Sequence, residues 1–345
     1  MRAMAKWFAG LPTPVRVWGP VLLGLLLPLA LQLTGQSGYL ANIAVTVGIY
    51  MVLAMGLNIV VGMAGLLDLG YIAFFAVGAY TLAIGGSHGL SFWTALPVAA
   101  VLAALTGVLL GAPTLPLKGD YLAIVTLGFG EIIRIALLNL GWLTNGPSGI
   151  SGVPVPEIPW FGPTGFTWLA LRQPMQLYYL ALIFVVAVYW MTSRLKGSRI
   201  GRAWIAIRED EIAASAMGID TVRLKLLAFA TGAALAGMVG VLSAAQLSFV
   251  SPESFTLLNS VMVVSMVVLG GMGSVSGVAL GALLLVVLPE ALRGFSEYRM
   301  LLFGLAMVLV MLLRPQGLLG ETQIPRSRPQ EGKQTAEKPS VDLRT

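Results

Sequence analysis

Arg194-Leu-Lys-Gly-Ser-Arg-Ile-Gly-Arg-Ala-Trp-Ile-Ala-Ile-Arg-Glu-Asp-Glu-Ile-Ala-Ala-Ser-Ala-Met-Gly-Ile-Asp-Thr-Val-Arg-Leu-Lys225 is a short, strongly charged stretch between long apolar blocks. It holds seven basic residues together with Glu209, Asp210, Glu211 and Asp220. The contrast with its flanks decides the fold. Of the 345 residues, 57% are hydrophobic and 10% charged, with a mean hydropathy of +0.87. Soluble domains are about a quarter charged. A soluble core of this length cannot hide so much apolar surface, but lipid can. Backbone groups at the bilayer centre must pair internally, which leaves helices or a closed barrel. The apolar runs are continuous rather than alternating, which selects helices.

Each run approaches the ~20 residues that a bilayer requires. The pattern predicts ten spans, at 17–36, 39–61, 65–86, 92–112, 121–142, 175–193, 223–247, 257–272, 275–291 and 299–314. The third carries Asp68 and many glycines, and Gly270 to Gly277 is a tight connection, so a broken or re-entrant helix is expected at either place. Placing the N-terminus in the cytoplasm gathers Arg2, Lys6, Arg16, Lys118, the seven basic residues of 194–225, Arg314 and five tail residues on the inside. The outside collects only Arg172, Arg293 and Arg299. Positive charge favours the cytoplasmic face, so both termini are expected there. Trp18, Trp93, Trp142 and Trp190 fall at span ends, where an aromatic belt lies. The basic N-terminal start lacks a clear small-x-small cleavage site, and a retained first span is expected.

The organisation expected is a transmembrane domain over 1–319 and a disordered cytoplasmic tail over 320–345, rich in Pro, Gln, Glu, Lys and Ser. The external segment 143–174 is punctuated by Gly and Pro and is too short for a separate domain. It reads either as a docking or gating loop or as a passive connector.

Within the charged stretch, Ala203 to Met217 reads as one short amphipathic helix with Trp204, Ile207, Ile212 and Ala216 near one face. Gly218 suits the left-handed position that ends a helix. Asp220 or Thr221 suits the cap of the next. An ordinary membrane-surface helix is the bland alternative. Anionic lipid repels Glu209-Asp210-Glu211, however, so a protein partner fits this segment better. In the fifth span, Glu131 lies ~16 Å from Asp120 by helical rise, near the midplane. Charges there face a bundle interior or a wet path. Glu131 and Arg134 are three apart and share a face. Two readings stand: a structural ion pair, or a polar lining for a solute that carries both ammonium and carboxylate. Asn58 and Asn139 are lesser candidates for that lining.

Gly232, Ala236, Gly240 and Ala244 repeat at four-residue spacing, which lets helices approach closely. Val61-Gly-Met-Ala-Gly65 and Gly270-Gly-Met-Gly-Ser274 share a texture that hints at two internal halves, spans two to five and seven to ten. Cysteine is absent and His88 is the sole histidine, in a turn-like stretch. Neither a disulfide nor a thiolate metal site is available. The one Gly-Lys pair suited to end a phosphate loop, Gly332-Lys333, precedes Gln334 and lacks the upstream glycine pattern. No nucleophile elbow, metal cluster or dinucleotide fingerprint appears, so an enzyme is not expected. The basic balance is explained by topology rather than by nucleic acid.

Several stretches together resemble one family. They are Gly56-Leu-Asn-Ile-Val-Val-Gly62, Gly119-Asp-Tyr-Leu-Ala-Ile-Val-Thr-Leu-Gly-Phe-Gly-Glu-Ile132, Asn145-Gly-Pro-Ser-Gly-Ile150, Gly201-Arg-Ala-Trp204 through Arg208-Glu-Asp-Glu-Ile212, Phe249-Val-Ser-Pro-Glu-Ser-Phe255, Val268-Leu-Gly-Gly-Met-Gly273 and Arg314-Pro-Gln-Gly-Leu318. The chain resembles the LivM-type permease subunits of bacterial branched-chain amino-acid ABC importers. The resemblance implies an inner-membrane, multi-pass permease paired with a paralogous permease. It further implies two cytoplasmic ATPase subunits that use ATP and Mg, and a periplasmic amino-acid-binding protein. It makes Glu211-x-Ala213-Ala214-x-x-x-Gly218 this chain's form of the loop that docks in an ATPase groove. With Arg208, Glu209, Asp210 and Asp220 around it, 194–222 is the expected coupling segment, in an alternating-access cycle driven by ATP. No cofactor is expected on this chain itself. The rival readings are the same machine carrying urea or short amides, a stand-alone carrier or channel, and a membrane scaffold.

Overall fold

A chain crossing hydrocarbon must satisfy its backbone within its own helices, and most of this molecule does so. The computed structural model describes residues 37–292 apart from 116, 118, 163 and 164, and beyond them residues 304, 308, 312 and 317–319. The expected first span, nearly all of the expected last one and the tail 320–345 lie outside the described residues. Helix α1 (Ser37–Leu57) widens into a π-helix (Asn58–Met63), and α2 (Ile72–Ser87) follows after an irregular turn. Then come α3 (Phe92–Thr114), α4 (Asp120–Asn139) and α5 (Pro174–Gly197). Two short helices, α6 (Arg199–Glu209) and α7 (Glu211–Ala216), lead to α8 (Thr221–Leu247), α9 (Leu257–Gly270) and α10 (Val275–Ala291). Among the described residues, six helical stretches are long and apolar enough to cross a membrane, and α2 and α10 are shorter apolar helices. This is a polytopic helical membrane bundle.

Helix α8 is the centre of the bundle and packs chiefly on α3 and α2, while α1 packs on α5 and α10 on α9. Its small-residue stripe serves contacts inside this chain. A Cβ added at Gly240 would stand 2.3 Å from the Phe75 carbonyl oxygen, and one at Gly232 would stand 2.6 Å from Val60 Cγ2. Ala236 and Ala244 are buried beside them. Dispersion contacts, rather than a hydrophobic drive, hold helices together in lipid. Each missing methyl here therefore converts directly into helix proximity.

Two expectations need correction. The segment 143–174 is not merely a loop. Its strands β2 (Glu157–Gly162) and β3 (Gly165–Ala170) form an antiparallel hairpin. Strand β1 (Ile150–Ser151) pairs with β4 (Phe249–Val250), which follows α8. The helical bundle thus carries two small sheets at one end. Trp93 at the start of α3 donates from its indole N–H to the Glu157 carbonyl at 2.6 Å and fixes the hairpin there. The period-two signal was hidden by the Gly and Pro residues that punctuate the segment. The second correction concerns the charged stretch, where the expected single helix from Ala203 to Met217 is two. Asp210 is extended, with φ −157° and ψ 108°, and its Oδ1 accepts from the Ile212 and Ala213 N–H groups. An aspartate that caps α7 cannot also continue α6. The break rotates the second half, so Trp204, Ile207 and Ala214 are buried while Ile212 is 76% exposed and Ala216 is also exposed.

The third expected span is broken. Residues 64–71 are irregular and α2 begins only at Ile72. A 16-residue helix reaches ~24 Å, short of the bilayer core, and the turn before it makes up the rest. Its backbone is satisfied by side chains of other helices. Leu69 N–H donates to Thr126 Oγ1 at 3.0 Å and Ile72 N–H to Ser260 Oγ at 3.2 Å. Tyr71 O–H donates to the Gly232 carbonyl at 2.7 Å. Non-helical backbone at this depth is tolerated only when enclosed in this way.

Candidate functional site

Three places hold the expected functional residues, and the structure separates them. At the charged end, α6 and α7 project from the bundle as a bent pair. Ser198 caps α6 by accepting from the Gly201 N–H at 3.2 Å. Trp204, fully buried, donates its indole N–H to the Leu224 carbonyl at 2.7 Å and clamps α6 to the start of α8. Gly218 takes φ +82°, where an added Cβ would meet nothing within 4 Å, and ends α7. Asp220 then caps α8, its Oδ1 accepting from the Arg223 N–H at 3.1 Å.

The expected coupling residues divide by direction. Glu209, Asp210 and Ala213 face outward, joined by Ile212 and by Met217, which is 83% exposed. Ala214 is buried. Glu211 turns back, and Lys225 Nζ lies 2.5 Å from its Oε1. Lys225, itself buried, needs that carboxylate, since an unpaired ammonium out of water is costly. Arg208 also reaches inward, its Nη1 donating to the carbonyl of Gly62.

The second place is the mouth of the broken span. Asn58 is buried, and its Oδ1 accepts from the Gly273 N–H at 2.8 Å, so the two Gly-Met-small turns lie against each other. Asn58 therefore sits near Arg208 and not with Glu131 and Asn139. Asp68, which sequence reasoning noted only as a span breaker, is fully buried, with Oδ1 accepting from the Gly70 N–H at 2.9 Å. Its Oδ2 and Asn58 Nδ2 have no hydrogen-bond partner among the described residues. The signal that could have found it is a carboxylate inside an apolar run.

The third place is the outer face of α4. Arg134 Nε donates to both oxygens of Glu131, at 3.1 and 3.0 Å, and Nη2 adds a third contact to Oε1. The pair forms within one helix, as the i, i+3 spacing predicts. Its side chains are 24% exposed for Arg134 and 39% for Glu131. Around it Ile124, Ile132 and Ile135 are exposed, at 66%, 64% and 45%. The buried residues of α4 are Leu122, Ala123 and Thr126 alone among its described residues. Asn139, at the far end of α4, donates to the Ile135 carbonyl at 2.8 Å. No cluster of three or more His, Asp or Glu suited to a metal occurs among the described residues.

With this geometry in hand, the comparisons are specific. Residues 39–311 match a family model described as branched-chain amino acid transport system / permease component. The chain is 50% identical over 307 residues to the high-affinity branched-chain amino acid transport system permease protein LivM of Escherichia coli (strain K12), an alignment covering 84% of this chain and 71% of that one. A probable branched-chain amino acid transport permease protein LivM of Methanocaldococcus jannaschii is 27% identical over 327 residues, covering 80% of this chain and 92% of the other. The LivH permease protein of Salmonella typhimurium is 31% identical over 198 residues, covering 56% and 62%. These relatives are transport permeases, not enzymes. No solved structure matches.

Proposed function

We propose that this chain, which belongs to the branched-chain amino acid transport permease family, is one of two paralogous permeases that together enclose the path for branched-chain amino acids in an ATP-driven importer. The observation that carries this reading is the Glu131–Arg134 pair on the bare face of α4. A charge at the centre of a membrane helix costs about 3 kcal/mol even on the mildest scales. An ion pair lowers that figure without removing it, so such a face belongs against protein and water rather than lipid. A second permease supplies the protein. Similarity to both LivM and LivH, whose names share one transport system, supports such a pairing.

The chemistry fits the cargo. An amino acid presents an ammonium to Glu131 and a carboxylate to the planar guanidinium of Arg134, both as charge-assisted hydrogen bonds. The pair closes on itself when the solute leaves, so neither charge is stranded. Because a ligand shifts a conformational equilibrium only by its differential affinity, the path binds weakly and a periplasmic binding protein supplies selectivity. At the charged end, Ile212 and Met217 are apolar side chains held out beside Glu209 and Asp210. That mixture suits a groove on an ATPase subunit better than water or anionic lipid. The excess of Lys and Arg at that end supports a cytoplasmic setting, where the partner subunits would use ATP and Mg.

Reconstitution of the purified assembly in liposomes tests the proposal. Leucine uptake requires ATP on the side of residues 194–225 and a binding protein on the other, and Glu131→Gln lowers it at least tenfold. Leucine flux through this chain alone, without ATP, contradicts it.

A further inference from the structure

Trp204 and Glu211 tie α6 and α7 to the start of α8, and one cation, Arg208, ties α6 to the broken span. Arg208 ends the last turn of α6. As a residue it is exposed, yet its Nη1 donates to the carbonyl of Gly62, which lies 146 positions earlier at the end of the π-helix. Other carbonyls of that helix are taken from its own continuation: Ala64 N–H donates to Ile59 and Leu66 N–H to Val60, at 3.1 and 3.0 Å. The stem of Arg208 is pressed by Gly65, where an added Cβ would stand 2.7 Å from Arg208 Cγ, and where φ is +72°. On the other side an added Cβ at Gly273 would stand 3.3 Å from Nη1. Asn58 ties that second turn to the first. The guanidinium is thus enclosed by both Gly-Met-small turns.

The contact continues inward. Gly70, at the far end of the same irregular turn, lies on α4, where an added Cβ would stand 2.0 Å from the Thr126 carbonyl oxygen. One added at Gly130 would stand 3.1 Å from the α-carbon of Gly70. Gly130 immediately precedes Glu131. Backbone rests on backbone at these points, with no flexible side chain between to absorb a displacement. Close-packed contacts of this kind transmit movement instead of dissipating it.

We infer that Arg208 is a positioning residue for transport, carrying the movement of α6 and α7 to the turn Gly62–Gly70 and through it to the Glu131–Arg134 face of α4. It acts inside this chain, while Glu209, Ile212 and Met217 are left to meet the motor. The inference rests on the coupling role proposed above for 194–222.

The test uses the complete assembly in liposomes, with both permeases, the ATPase subunits and the binding protein. Leucine moved and ATP hydrolysed are measured in the same sample. Arg208→Ala lowers leucine moved per ATP at least fivefold, while the ATPase subunits still copurify. Arg208→Lys, which can place one donor at the Gly62 carbonyl, recovers at least half of the ratio. Should Arg208→Ala fail to reach the membrane, Arg208→Gln carries the same expectation, because it keeps part of the stem but cannot span to that carbonyl. Uptake and hydrolysis falling in proportion overturn the inference, since a merely structural role leaves their ratio intact. Loss of the ATPase subunits from the assembly overturns it too, and marks Arg208 as a docking charge. A wild-type assembly whose uptake ignores ATP fails the proposed function itself, which is a distinct result.

Discussion

The mouth of the broken span and the outer face of α4 both hold polar groups inside an apolar chain, and they treat them in opposite ways. At the mouth, Asn58, Gly62, Gly273 and Arg208 use one another, and the two Gly-Met-small turns close on themselves. On α4, Glu131 and Arg134 pair with each other, and both stay partly exposed on a face that the other described residues leave open. The first region finds most of its partners within one polypeptide, with Asn58 Nδ2 and Asp68 Oδ2 left over among the described residues. Under the proposed function, the second is completed by another protein. On that same proposal, the difference separates a device that moves as a unit from a surface that meets solute.

The comparison breaks most visibly on α4. Exchanging the charges, Glu131→Arg with Arg134→Glu, keeps an ion pair but reverses what a solute meets. Uptake falls at least tenfold while the chain still accumulates in the membrane. Uptake that survives the exchange reduces the pair to a structural one. Arg134→Ala alone leaves Glu131 without its guanidinium, at a cost of up to about 3 kcal/mol where lipid rather than water meets it, which lowers the amount of chain recovered from membranes.

At the mouth, Asn58→Ala removes the acceptor for the Gly273 N–H and leaves that half-buried donor unpaired. A buried unsatisfied donor costs about 1–3 kcal/mol, read as a lower unfolding temperature of the purified assembly. A temperature within error of wild type contradicts the staple drawn between the two turns. Lys225→Met sharpens the same contrast at the charged end. It removes the partner of Glu211, but that glutamate is 29% exposed and water compensates it in part. A loss of about 1 kcal/mol is expected, at the low end of the range for Asn58→Ala. An effect of similar size belongs to Gly218→Ala, which adds a side chain in open space at φ +82°. Only left-handed strain opposes it, about 1 kcal/mol, and the same unfolding measurement reports it.

Much of this was legible in the sequence because the bilayer imposes simple rules. Apolar length located α1, α3, α5 and α8 to within a few residues, and the glycine-rich run with Asp68 was readable as a broken crossing. The i, i+3 spacing gave the Glu131–Arg134 pair, and Gly218 and Asp220 were readable as the end of one helix and the cap of the next. What failed did so where local and tertiary forces compete. The propensity of Ala203 to Met217 favours one helix, but the Asp210 carboxylate finds backbone donors on its C-terminal side and breaks it. The hairpin Glu157–Ala170 is held by a pairing register that Gly and Pro obscure along the chain. Asn58 and Arg208 look, in sequence, like a lining residue and a docking charge. Their meeting at Gly62 and Gly273 depends on a long-range approach of glycine turns that no local pattern encodes.

The absence of cysteine from this chain permits a single direct measurement of the central claim, that the Glu131–Arg134 face of α4 borders a wet path rather than lipid. A cysteine introduced as Ile135→Cys, one helical turn beyond Glu131, is exposed to a membrane-impermeant thiol reagent in the assembled importer, with and without ATP. The account predicts modification by the impermeant reagent at a rate that ATP changes at least threefold. Modification by a lipid-soluble reagent alone, at a rate indifferent to ATP, would contradict it.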